Sequence, residues 1–148
     1  VTERQLKYAL GVTIIISHVT LLLLCIALYF LAAFTMQELT TLLAIVVPVF
    51  SVYTTSVVSF VISDKHIASD KTNKVTNTYA VLSFAFPLFT ALLIGVSVIM
   101  KAYNNGFDNF EDFKRFLITI ETLFGAYMGA LIYSLFGKPK SNRTDTTN

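Results

Sequence analysis

The 148-residue chain is 55% hydrophobic and 14% charged, with a net charge of +2 and a mean hydropathy of +0.68, where soluble domains carry roughly 25% charged residues. That balance excludes a water-facing globular fold. The eleven Lys and Arg residues lie between or beyond the apolar runs, so the concentrated basic face that a nucleic acid requires is missing.

Four apolar runs follow one another, Leu10 to Phe34, Thr41 to Ser63, Tyr79 to Met100 and Phe116 to Phe136. Each is near the roughly 20 residues that cross a hydrocarbon core of about 30 Å. In lipid every backbone polar group must be satisfied internally, which leaves helices or closed barrels, and continuous runs without alternation choose helices. The expectation is an all-α polytopic membrane protein, a four-helix transmembrane bundle over residues 1–138 with a polar, disordered tail from Pro139 to Asn148.

The first run follows Arg4 and Lys7 and closes on Ala32 and Ala33, as a signal peptide would. Its apolar core is longer than the 7 to 15 residues typical of such a signal, so it reads as a retained helix. Gly11, His18, Cys25 and Ala32 recur in it at intervals of seven. Cys25 is the chain's single cysteine and reads as a buried, inert thiol. For His18, a neutral imidazole hydrogen-bonded between helices is favoured over a gate or proton relay.

The second run carries a seam of Pro48, Ser51, Thr55, Ser59 and Ser63, and the third one of Ala80, Ser83, Pro87, Ala91 and Gly95. The seams of the first and second runs are expected to turn inward, as small and weakly polar residues do where helices pack in lipid. Pro48 and Pro87 are expected to kink their helices. Ser51, Thr55 and Ser59 are candidates for lining a permeation path, although such hydroxyls also bond their own backbone four residues back. Pro48-Val49-Phe50-Ser51 and Pro87-Leu88-Phe89-Thr90 are too short a match to establish an internal repeat.

Before the fourth run, Asn104-Asn105-Gly106 is a turn signal, and Asp108 followed by Glu111 has the spacing of a capping box. Phe107, Phe110 and Phe113 suit either an amphipathic first turn in the headgroup layer or an aromatic belt. Within the run, Glu121 is the sharpest residue, because a carboxylate there must face protein or water rather than lipid. Gly125 and Gly129 follow on the same face as a small-x-x-x-small pattern expected at a close helix contact. Counted from the ends of the apolar runs, His18 and Glu121 fall at different depths and do not form a pair.

Basic residues are retained on the cytoplasmic side. Arg4 and Lys7, then Lys65, Lys71 and Lys74, then Lys138, Lys140 and Arg143 would share that side, while Thr35 to Thr40 holds Glu38 and no basic residue. Both termini are therefore expected in the cytoplasm, with the protein in the cell membrane. Asn142-Arg143-Thr144 then never meets the glycosylation machinery that its pattern would suit.

No phosphate loop, His-Glu-x-x-His pattern or metal-spaced Cys/His cluster is present, so neither an enzyme nor a cofactor or metal site is expected. The leading functional expectation is a homo-oligomeric membrane protein that forms or controls a permeation path or perturbs the membrane, triggered by a partner. The alternatives are a membrane anchor or scaffold that recruits a cytoplasmic protein through Asp64 to Val75 and the tail, and a small ion- or proton-coupled transporter using Glu121.

Overall fold

A computed structural model describes residues 2–64 and 74–136. It has four helices, α1 (Glu3–Phe30), α2 (Met36–Asp64), α3 (Asn77–Ala102) and α4 (Phe110–Phe136), each long and apolar enough to span a membrane. At 1.5 Å per residue, spans of 26 to 29 residues reach about 39 to 44 Å, more than the hydrocarbon core requires. The residues expected between α2 and α3 from Lys65 to Asn73, and the tail from Gly137 onward, lie outside the described residues, as does the side chain of Ser63.

Every helix begins before its apolar run, and at α1, α2 and α4 a side-chain cap sets the start. Thr2 accepts from the Gln5 N–H at 3.3 Å and donates its own N–H to Gln5 Oε1 at 3.2 Å, so α1 starts seven residues before Leu10. Thr35 and Glu38 form the same reciprocal pair ahead of α2. At α4 the cap is Asn109 rather than Asp108. Asn109 Oδ1 accepts from the Asp112 N–H at 2.9 Å, and its side-chain amide donates to Asp112 at 2.8 Å. An Asn side chain reaches the third residue on as readily as Asp does, which moves the start of α4 from Phe116 to Phe110.

The helices also end on specific turns. Ala33 N–H donates to the Leu28 carbonyl at 3.0 Å around Ala32, which takes a left-handed φ of 57°, so α1 stops at Phe30 instead of Phe34. Asn105 N–H donates to the Met100 carbonyl at 2.8 Å around Asn104 at φ 51°, with Gly106 at φ 82°. The Asn-Asn-Gly segment is the turn its sequence announced.

α1 packs on α2 and α3, and α4 packs on the same two helices, so α1 and α4 face each other across the diagonal. The interior divides into two apolar clusters. One, toward the 31–35 and 103–109 connections, holds Leu21, Cys25, Leu42, Ile94, Phe113 and Leu117 among others. The second, toward Thr2 and Lys74, holds Leu10, Ile14, Tyr53, Phe124 and Met128. Phe113 is fully buried, with the Phe107 ring centroid at 5.1 Å and that of Phe110 at 5.9 Å. These phenylalanines therefore close the end of the bundle around Phe113.

Lipid removes most of the hydrophobic drive between helices, leaving close packing and hydrogen bonds to hold the bundle. Gly11 supplies the tightest approach, since a Cβ there would stand 2.6 Å from Val57 Cγ1 of α2. Three tyrosine hydroxyls bridge helices: Tyr53 to the Gly125 carbonyl at 3.4 Å, Tyr79 to Ser134 Oγ at 3.1 Å and Tyr127 to the Leu82 carbonyl at 3.0 Å.

Of the seams expected to turn inward, that of α1 does and that of α2 does not. Gly11, His18 and Cys25 of α1 are buried, as are Ala80, Ser83 and Pro87 of α3. The seam of α2 does the reverse: Pro48, Ser51, Thr55 and Ser59 lie exposed on the outside of the bundle, while Leu39, Leu42, Val46, Tyr53 and Val57 fill its inner face. The physical reason is local. Ser51 and Thr55 donate to the carbonyls four residues back at 2.9 and 2.8 Å, so their hydroxyls need no partner inside.

Candidate functional site

Between the two apolar clusters each helix contributes its next buried positions, and these are where polarity enters the core. They are His18 on α1, Val46 on α2, Pro87 and Thr90 on α3, and Glu121 on α4, while Ser83 and Ser97 are buried on α3 to either side of this level and Lys101 at the end of that helix. Depth follows from the observed helix ends. His18 stands twelve residues before the end of α1 and Glu121 eleven after the start of α4, about 18 and 17 Å at 1.5 Å per residue. The expectation of different depths is therefore overturned, because it counted α1 from Leu10 and α4 from Phe116. Both residues sit at the same level, midway along the bundle.

Glu121 is 3% exposed, and both carboxylate oxygens are buried without a hydrogen-bond partner. The other such side-chain oxygen among the described residues is Thr54 Oγ1. An unpaired polar group in a dry interior costs several kcal/mol relative to a paired one, and far more as an isolated ion (order of magnitude). Lys101, Lys114 and Arg115 do not pair with Glu121. Lys101 is in the last turn of α3, roughly ten residues or about 15 Å from the Glu121 level. Lys114 pairs with Glu111 at 2.6 Å, and Arg115 faces outward.

The walls around this level are aromatic. Tyr53 of α2 reaches α4 one turn beyond Glu121, its hydroxyl on the Gly125 carbonyl at 3.4 Å and its ring edge-on to Phe124 at 5.4 Å. Phe86 stacks on Tyr127 at 3.9 Å and lies parallel to Phe124 at 6.3 Å. Phe124 also spans the diagonal to His18, ring to ring at 5.8 Å, and Phe50 stacks on the other side of the imidazole at 5.1 Å.

His18 is 4% exposed. Its Nδ1 lies 2.9 Å from the Ile14 carbonyl of its own helix. A carbonyl only accepts, so Nδ1 donates and Nε2 carries the lone pair of the neutral ring. The interhelical hydrogen bond expected of His18 is thus replaced by one within α1, and its contacts across the bundle are ring stacking. On α3, Pro87 has no N–H to give the carbonyl of Ser83, which is fully buried. Ser83 Oγ donates to the Tyr79 carbonyl at 2.8 Å.

The remaining candidates lie elsewhere. Gly125 is half-buried, with the Tyr53 hydroxyl 3.7 Å from where a Cβ would stand; at Gly129 nothing lies within 4 Å. Ser51, Thr55 and Ser59 share the outer face of α2 with Pro48, whereas Pro87 is buried. Sequence reasoning missed Gly11 as a close contact and Tyr53 as a neighbour of Glu121. The period of seven through His18 was the available signal for Gly11; none marked Tyr53. No protein-family model, curated protein or solved structure matches the chain.

Proposed function

We propose that this protein handles ions across a cell membrane, with Glu121 as the membrane-embedded carboxyl that takes up and releases a cation. The observation that carries this reading is the Glu121 side chain, buried midway along four membrane-spanning helices with neither oxygen hydrogen-bonded. A carboxyl kept for structure would hold a neighbouring donor, and a carboxyl kept by accident would reach toward water. Glu121 does neither. The Lys and Arg asymmetry supports cytoplasmic termini, with Thr35 to Thr40 and Ala102 to Lys114 outside. Flux in liposomes carrying wild type, Glu121→Gln or Glu121→Leu is the test. Loss of flux in Gln with assembly intact is expected. Equal flux and stability in all three would remove the reading.

A second reading has its own support. The outward face of α2 places Ser51, Thr55 and Ser59 where a single bundle has no use for hydroxyls. In a homo-oligomer with several copies around one axis, that face would line the space between copies and form the permeation path. The copies would then be the protein's main partners besides lipid. A role as a scaffold for a cytoplasmic protein through Asp64 to Val75 and the tail remains a third proposal; pull-down from membranes that recovers no partner dependent on those segments would count against it.

A further inference from the structure

The geometry points to a proton as the cation that Glu121 takes, a conclusion that rests on the ion-handling reading above and names its substrate. A metal cation needs about six to eight oxygen ligands for calcium, or six in a strict octahedron for magnesium. At the Glu121 level the buried polar side chains are His18 and Thr90, and the rings of Tyr53, Phe86 and Phe124 pack beside them. The Tyr53 hydroxyl is directed to the Gly125 carbonyl, and the described residues hold no group of three or more His, Cys, Asp or Glu able to bind a metal. Continuous helices keep their carbonyls in their own ladders, apart from those at Ser83 and Ala44 that Pro87 and Pro48 release, the second of them on the exposed side of α2. Too few oxygens converge to replace a hydration shell.

An organic cation meets the opposite difficulty. Aromatic faces attract such cations, but here the rings already pack on one another, with Phe86 and Tyr127 at 3.9 Å. Binding would require that stack to part. A proton needs neither ligands nor room. Taken up by Glu121, it forms one O–H bond and cancels the charge, leaving a neutral acid in a dry layer. The titratable groups facing this level are few. α1 brings His18 and α2 brings Tyr53, while α3 brings none, since Lys101 lies at one end and Tyr79, bonded to Ser134, toward the other. The charge of Glu121 is therefore governed by its own proton.

Infrared spectroscopy of the full chain in liposomes reads this directly. Expected is a carboxylic-acid carbonyl band that Glu121→Gln abolishes, that changes with pH, and that is indifferent to sodium, potassium, magnesium and calcium and to tetraphenylphosphonium. A pair of carboxylate bands shifted by any of those cations would overturn the proposal. If the Gln variant fails to fold, replacing Glu3, Glu38 and Glu111, the other three glutamates, by Gln leaves Glu121 as the one glutamate carboxyl labelled in protein made with carbon-13 glutamate, and the same two outcomes apply. The two levels of inference separate cleanly. Flux unchanged in Glu121→Gln removes ion handling, whereas a band that answers to sodium in a protein whose flux requires Glu121 removes only the proton.

Discussion

At Gly11 the surfaces of α1 and α2 come together with no space for a methyl group, since an added Cβ would stand 2.6 Å from Val57 Cγ1. Valine is branched at Cβ and stiff, so it cannot swing aside as a long side chain would. Gly11→Ala is therefore expected to lower stability by roughly 1 to 3 kcal/mol, the range for overpacking a tight contact. Val57→Ala in the same chain should restore much of that loss. Gly129→Ala, placed where nothing lies within 4 Å, should leave a single bundle unaffected. Thermal unfolding in detergent measures all three. A Gly11→Ala variant that melts with wild type would show that the helices part more easily than the contact implies. The same residue scale explains why Glu121 and His18 matter together. Each was legible in the sequence as an ionisable residue inside an apolar run, but their common level was not, because it depends on where α1 and α4 end.

Among the elements, α4 shows most clearly what hydropathy can and cannot reveal. The apolar run starting at Phe116 establishes that a helix exists, and the capping-box spacing of Asp108 and Glu111 places its start before that run, one residue from the observed cap. Helix initiation follows the cap at Asn109 instead. The same reasoning accounts for α1, which gains its first turns from Thr2 and Gln5 and loses its last at Ala32. α2 teaches a different lesson. Its seam has helical spacing, but periodicity gives a face without saying which way it points, and self-bonded hydroxyls can lie on either side. If the outer face meets another copy, Ser51→Leu combined with Thr55→Leu should leave the bundle folded and reduce the number of chains per particle in native mass spectrometry. An unchanged copy number would mean that lipid covers this face.

Over the whole molecule, four antiparallel spans stand side by side, and the two apolar clusters hold a thin polar layer between them. Fold class was readable from apolar run length alone, since lipid permits few alternatives. The order around the bundle was not, because it rests on contacts such as Tyr53 to Gly125 and His18 to Phe124 that no short-range pattern encodes. Orientation in the membrane has its own test. With Cys25 replaced by Ser, a cysteine at Asn105 should react with an impermeant maleimide on intact cells, and one at Thr2 only after permeabilisation. The reverse result would invert the topology.

The central claim is that the buried carboxyl of Glu121 handles a cation, and the most direct measurement is proton entry into liposomes holding a pH-sensitive dye under an imposed membrane potential. Acidification with wild type and none with Glu121→Gln, at equal protein incorporation, is the result expected. Equal acidification with both proteins would contradict the claim.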